Sequence, residues 1–446
     1  MGKKIGVVSL GCPKNLVDSE IMLGMLNEKG YEFTPDKDDA EVLIVNTCGF
    51  IESAQQESVD TILEMAECKK NKCKLLIVTG CLAERYREQI TSEIPEVDAV
   101  IGTGSYDKII EVIENSLPEE KNIICGDLCG VEYLENNRYL SNRDGFTYLK
   151  IAEGCDNFCT YCVIPSLRGR YRSRKIENIV SEAIKLVNSG VKELVLVAQD
   201  TTRYGVDLYG SKKLVELIQE LSKIDGLKWI RLLYCYPEEI DDRLIQEIKN
   251  NSKVCKYIDI PIQHISDNIL KAMGRRGNSQ EIRNLIVRLK SEIPEIIIRT
   301  TFIVGFPGED ESDFGILCNF VKEAEFDRLG VFTYSREEGT PAYKMDKQID
   351  DNVKEKRYNE IMEIQYNIAR EKNSRRVGRV YDAIVQGVAD DGIFYYGRTY
   401  AEAPDIDGVV YFTSMEPLEI GEFCKIKILS EDEYDLIGEV IYESTE

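Results

Sequence analysis

At 446 residues, with 43% hydrophobic and 30% charged side chains, the chain has a globular composition and is too long for one ordinary core, so about three domains are expected. No run approaches the ~20 apolar residues of a membrane helix, and a net charge of −23 from 56 basic and 79 acidic residues disfavours nonspecific adhesion to nucleic acid, which draws on counterion release. The first ten residues hold no apolar run long enough for a secretory signal, and Gly6 stands where a myristoylation motif needs Ser or Thr. A cytoplasmic protein is therefore expected, in which fourteen cysteines stay reduced for metal or redox chemistry.

From Lys3 to Asp127, β-rich runs at Ile5–Leu10, Val42–Asn46, Leu75–Thr79, Ala99–Ile101 and Ile123–Cys125 alternate with amphipathic helical stretches. This is the pattern of an α/β domain around a parallel sheet. A polar stretch from Glu135 to Asp144 reads as a linker. Beyond it, strand candidates at Tyr148–Ala152, Glu193–Ala198, Trp229–Tyr234, Tyr257–Pro261, Ile296–Val304 and Leu329–Tyr334 fit a partial (βα)6 TIM-like barrel with its chemistry at the C-terminal strand ends. Asp350–Arg376, without Gly or Pro, reads as a connecting helix. From Val377, five short runs with Gly-containing turns, Arg379–Gln386, Ile393–Arg398, Gly408–Phe412, Phe423–Leu429 and Gly438–Tyr442, predict a small antiparallel β-barrel. The expected domains are 1–140, 141–376 and 377–446. Their basic and acidic residues number 14 and 26, 38 and 37, and 4 and 16, so both ends are strongly acidic around a neutral middle.

The sharpest motif is Cys155-Asp156-Asn157-Phe158-Cys159-Thr160-Tyr161-Cys162, directly after the first strand of the second domain. Three thiolates on one short loop can hold three irons of a 4Fe-4S cluster and leave the fourth iron open to a ligand. Zinc is the rival, but it needs a fourth ligand, and the only histidine, His264, lies far off in sequence. Cys12, Cys48 and Cys81 each follow a strand candidate, so a parallel sheet brings their loops to one edge, where a second three-thiolate site can form. Singly, each would read as a buried core cysteine.

The cysteine loop at the head of a βα series resembles the radical S-adenosylmethionine superfamily, including the aromatic Tyr161 before the last cysteine. With the three-cysteine first domain and the small terminal β-domain, similar to TRAM domains, the whole chain resembles the methylthiotransferase family. Gly11-Cys12-Pro13-Lys14-Asn15, Tyr148–Cys155 and Ala198–Gly205 are similar to its RimO branch, which modifies an aspartate of ribosomal protein S-twelve. The tRNA-modifying MiaB branch has Gln-Met in place of Pro13-Lys14 and an Asn-rich loop in place of Asp200–Thr202.

The resemblance implies two 4Fe-4S clusters. Cys12, Cys48 and Cys81 would hold an auxiliary cluster presenting sulfur, which takes a methyl group from one S-adenosylmethionine. Cys155, Cys159 and Cys162 would hold the cluster that cleaves a second S-adenosylmethionine to a radical able to abstract hydrogen from the β-carbon of the aspartate. A flavodoxin- or ferredoxin-like electron donor is implied as well. A terminal domain with 4 basic and 16 acidic residues repels RNA and steers a basic ribosomal protein. A tRNA adenosine methylthiotransferase shares every cysteine and stays open as the alternative, as does a non-catalytic iron–sulfur RNA-binding protein.

Other residues carry weaker signals. Gly305-Phe306-Pro307-Gly308-Glu309 follows the fifth barrel strand, where radical enzymes pass backbone beside adenine, and glycine permits the close approach. Gln199, Asp200 and Arg299 are placed to meet S-adenosylmethionine. The basic stretch Arg168, Arg170, Arg172, Arg174, Lys175 reads either as a carboxylate or anion holder or as a solvated strand edge. His264 reads as structural, and Ile101-Gly102-Thr103-Gly104 lacks the rest of a dinucleotide fingerprint. Cys68, Cys73, Cys125, Cys129, Cys235, Cys255, Cys318 and Cys424 are expected to be dispensable for metal.

Overall fold

The structure is a computed structural model that describes residues 3–116, 121–141 and 144–442. Contacts divide it into two compact units: Met1–Ser141 with Lys150–Asn178 and Ser335–Tyr343, and Asn142–Leu149 with Ile179–Tyr334 and Lys344–Glu446. The loop with Cys155, Cys159 and Cys162 therefore belongs to the same unit as Cys12, Cys48 and Cys81.

The first unit is built on strands β1 (Lys4–Ser9), β2 (Glu32–Phe33), β3 (Val42–Thr47), β4 (Leu75–Gly80), β5 (Ala99–Ile101) and β6 (Asn122–Ile124), in the order β2-β1-β3-β4-β5-β6. All pair in parallel. β3 and β4 are buried at every position, which is why their sequences are continuous apolar runs and not alternations. Helices α1 (Pro13–Glu28), α2 (Glu52–Glu67), α3 (Cys81–Glu93) and α4 (Ile109–Asn115) connect the strands. The edge strand β2, two residues long, leaves no periodic trace in the sequence.

The predicted linker differs from expectation. Tyr133 and Leu134 are buried just ahead of it, Arg138 pairs with buried Glu20 of α1, and Tyr139 N–H donates to the Glu20 carbonyl at 3.0 Å. A Cβ on Gly24 would lie 1.9 Å from the Asn137 carbonyl oxygen, so α1 carries glycine where this strap crosses it. Of the polar side chains that suggested a solvated linker, Asn137, Arg138 and Ser141 find partners on α1, while Glu135 pairs with Arg174 and Asn136 bonds the Tyr133 carbonyl; Asn142 and Arg143 lie outside the described residues.

In the second unit, β7 (Phe146–Lys150) lies at one edge of a sheet. After the two-stranded pair β8 (Ala152–Glu153) and β9 (Arg172–Ser173), which lies in the first unit, come β10 (Glu193–Val197), β11 (Trp229–Leu232), β12 (Val254–Gln263), β13 (Ile297–Val304) and β14 (Arg328–Thr333). The order β14-β13-β12-β11-β10-β7 is sequential and its pairs from β10 to β14 are parallel, giving the expected open barrel. The helix Asp351–Ser374 follows, and then β15 (Val380–Val388), β16 (Tyr395–Arg398), β17 (Val410–Thr413), β18 (Phe423–Asp432) and β19 (Asp435–Val440) close a small barrel. It is not wholly antiparallel: β17 and β19 run parallel. An odd number of strands cannot alternate direction all the way round, so one neighbouring pair must be parallel.

The segment from Arg398 to Asp407 fills the N-terminal end of the larger barrel. Arg398 reaches Glu193 of β10 at 2.8 Å, Arg231 of β11 donates to the Tyr400 carbonyl at 2.7 Å, and Tyr148 and Tyr257 donate to Asp405 and Asp407, each at 2.7 Å. Chemistry on this sheet is thereby confined to the opposite, C-terminal ends of the strands.

Candidate functional site

Three turns bring Cys12, Cys48 and Cys81 to one edge of the first sheet. Cys12 caps α1, whose first residue is Pro13, a position where the missing N–H costs nothing. Cys48 follows β3 directly, and Cys81 opens α3 directly after β4. The turns close because glycine stands where they touch. A Cβ on Gly11 (φ +84°) would lie 2.7 Å from Cys48 Cβ and 3.1 Å from its Sγ, and one on Gly80 (φ +95°) 2.4 Å from Asn46 Oδ1; each backbone also lies in the left-handed region that favours glycine. Asn15 Nδ2 donates to the Leu10 and Thr47 carbonyls at 3.1 and 2.9 Å, and Thr47 Oγ1 to the Thr79 carbonyl at 2.6 Å, stitching the three loops together.

The thiols sense one another. Burial, then the neighbouring Cys81 and Cys12, push Cys48 up to about 12. Burial also raises Cys81. At Cys12 burial is outweighed by the Lys14 and Arg168 cations, which lower its pKa.

The second triad is local. β8 leads into Gly154 (φ +80°), whose Cβ would strike the Arg170 carbonyl at 2.1 Å, and Cys155 N–H donates to the Gly169 carbonyl at 3.1 Å. Asn157 turns its backbone and side-chain N–H groups toward Cys155 Sγ at 3.5 and 3.6 Å. Burial and the neighbouring Cys159 and Cys155 raise Cys162. Half-buried Tyr161 sits inside the loop, which Ala342 N–H anchors through the Thr160 carbonyl at 2.8 Å.

All fourteen cysteines are free of disulfides. Among the described residues no three His, Cys, Asp or Glu side chains close on a single metal ion. Thiolates around a four-iron cube stand farther apart than ligands of one ion, and a three-thiol donor set suits such a cube. Each triad offers such a donor set: three thiols without a disulfide.

Sequence reasoning missed what lies between the triads. α5 (Ile164–Arg168) starts two residues after Cys162, and Val163 and Leu167 pack against Cys81. Arg168 Nε donates to Cys81 Sγ at 3.3 Å, its Nη1 to Asp18 Oδ2 at 2.6 Å and Glu153 Oε2 at 3.1 Å, and its Nη2 to Asn15 Oδ1. Lys150 Nζ donates to Asp18 Oδ1 at 2.6 Å and pairs with Glu153, and Tyr133 OH donates to Glu153 Oε2 at 2.9 Å with Asp18 Oδ1 at 3.2 Å. Lys150 and Asp18 are 0% exposed and Arg168 and Glu153 2%, so two cations and two anions neutralise each other out of water.

The basic stretch is thus neither a single anion holder nor a strand edge. Arg168 is buried in this network, Arg174 is buried and bidentate to Glu135 at 3.1 and 2.9 Å, and exposed Arg170 pairs with Asp156 at 2.9 Å. The alternation that suggested a strand survives only in β9. Arg168 could have been found from sequence only through its position just past the cysteine loop.

In the second unit, Gln199 and Asp200 follow β10 and Gly305 follows β13, all at C-terminal strand ends. Asp200 is fully buried and accepts from Thr202 Oγ1 at 2.6 Å. Gly305 (φ +73°) passes close to Lys354, whose Cγ would lie 2.2 Å from a Cβ there. Its N–H and that of Phe306 donate to Glu309 Oε2 at 2.8 and 3.3 Å. Arg299 lies at the other end of β13, held by Asp259 at 2.8 Å with Asp407 at 3.7 Å. His264 Nδ1 accepts from Ser266 N–H at 3.0 Å.

The barrel and its cysteine loop define a radical S-adenosylmethionine enzyme, and known proteins agree. Residues 149–321 match the Radical SAM superfamily, 4–102 the Uncharacterized protein family UPF0004, and 377–441 the TRAM domain. The solved radical S-adenosylmethionine methyltransferase TsrM from Kitasatospora setae, with cobalamin and a 4Fe-4S cluster bound, is similar in fold: the TM-score is 0.58 at 13% identity over 77% of this chain and 74% of that one. Ribosomal protein uS12 methylthiotransferase RimO of Acetivibrio thermocellus is 62% identical over 100% of both chains, and that of Clostridioides difficile 53% over 99% of both. The chain belongs to the RimO family of methylthiotransferases. As a radical S-adenosylmethionine enzyme it works with an iron–sulfur cluster and S-adenosylmethionine.

Proposed function

We propose that the chain adds a methylthio group to the β-carbon of an aspartate in ribosomal protein uS12, using two 4Fe-4S clusters. Cys155, Cys159 and Cys162 hold the cluster that works with S-adenosylmethionine, and Cys12, Cys48 and Cys81 hold the auxiliary one. When bound, the two clusters and S-adenosylmethionine supply hydrogen-abstracting power, a methyl group and the sulfur that is inserted. The observation that carries the reading is the presence of two separate cysteine triads in one compact unit.

The protein's own part is to place and to shield. Tyr161, Gln199, Asp200 and the backbone at Gly305 hold S-adenosylmethionine. Arg299, held by Asp259 and Asp407, is not among them. The domains 1–140, 141–376 and 377–446 serve as sulfur-supplying, radical-generating and substrate-steering modules. The last, with 4 basic and 16 acidic residues, attracts a basic ribosomal protein. A flavodoxin- or ferredoxin-like protein supplies electrons, and the reaction takes place in the cytoplasm.

Full-length likeness to relatives named for uS12 methylthiolation supports the substrate. Mass analysis of uS12 from cells lacking this gene tests it: the methylthio mass is expected to vanish. Its persistence, with loss of a methylthiolated tRNA nucleoside, would overturn the assignment.

A further inference from the structure

Arg168 is fixed from two directions. Its backbone follows the Cys155–Cys162 loop, while its side chain reaches the other triad, with Nε–H on Cys81 Sγ at 3.3 Å and Nη2 on Asn15 Oδ1. Asp18, Glu153, Lys150, Tyr133 and the Tyr106 ring, 6.0 Å away, surround it. Buried and forked between two carboxylates, the guanidinium can neither turn into water nor give up its charge. Lys150 shares both carboxylates, so the four charges balance before any thiolate is counted, and Arg168 is a cation at hydrogen-bond distance from a proposed cluster ligand.

We infer that Arg168 is a positioning residue for the sulfur-supplying centre, whose N–H···S bond and buried charge raise the reduction potential of the cluster held by Cys12, Cys48 and Cys81. The inference rests on the two-cluster reading above. Hydrogen bonds and positive charge at a ligand sulfur stabilise the electron-richer state of an iron–sulfur centre. By tying Cys81 and Asn15 to Glu153, two residues ahead of Cys155, the same side chain also fixes how the two triads are spaced.

The test is potentiometric titration, followed by electron paramagnetic resonance, of the full-length reconstituted protein in the Cys155/Cys159/Cys162→Ala background, where only the auxiliary cluster remains. Arg168→Gln is expected to lower the midpoint potential, Arg168→Lys to lower it less, and Arg170→Gln, at an exposed arginine, to leave it unchanged. Intact iron and sulfide with an unmoved midpoint in Arg168→Gln, or an equal shift in Arg170→Gln, overturns the inference alone. If Arg168→Gln fails to hold iron, Arg168→Lys decides, because it keeps the charge but loses the Nε–H donor, and an unmoved midpoint there overturns the inference. Absence of iron from the background protein itself overturns the two-cluster reading and this inference with it.

Discussion

The two triads each present three thiols, by opposite means. The loop triad is closed by its own backbone: Gly154 turns the chain, Cys155 N–H bonds the Gly169 carbonyl and Cys162 N–H the Cys159 carbonyl. The strand-end triad exists only once β1, β3 and β4 are paired, and its loops are joined by Asn15, Thr47 and glycines without room for a side chain. A site written in one short segment can survive local damage elsewhere; one written in sheet register fails when the sheet does.

The comparison breaks most sharply at the ligands. Cys155/Cys159/Cys162→Ala should reduce S-adenosylmethionine cleavage to background while retaining iron at the other triad. Cys12/Cys48/Cys81→Ala should retain cleavage and abolish methylthio insertion. Iron counting together with assay of 5′-deoxyadenosine and modified uS12 separates the two, and loss of all iron in either variant would mean that the triads are not independent.

Gly80→Ala sharpens it further. A Cβ 2.4 Å from Asn46 Oδ1 at φ +95° should cost roughly 4 kcal/mol from backbone strain and overpacking, seen as a lower urea midpoint with iron lost from the strand-end triad first.

The second unit provides a control on acid stability. Burial opposes ionisation of Glu402, but Arg376 and Arg328 hold it down to about 2. Its contribution is therefore complete above the unfolded carboxylate pKa and lost as pH falls from about 4.5 toward 2, worth roughly 3 kcal/mol in all. Urea melts of the iron-free chain across that range should steepen for the parent and flatten for Glu402→Gln. Smallest is Arg170→Ala: its pair with Asp156 is exposed on the arginine side, so stability should change by less than about 1 kcal/mol.

Much of this was legible in the chain itself. The apolar run of β3 announces a strand covered on both faces, as the run Ile5–Leu10 also does although β1 is buried only in part, and the spacing Cys155, Cys159, Cys162 announces a three-thiolate loop, because periodicity and short spacing are properties of neighbouring residues. The five β-rich runs after Val377 announce a small barrel, though not that closing an odd ring forces β17 and β19 parallel. What tertiary structure alone decided is longer in range: that Asn137–Tyr139 strap onto α1, that Arg398–Asp407 fills one end of the larger barrel, and that Arg168 serves Cys81 and not the surface. Charged side chains look alike in a sequence whether they face water or a buried partner, and only folding, by removing water from some of them, makes the difference.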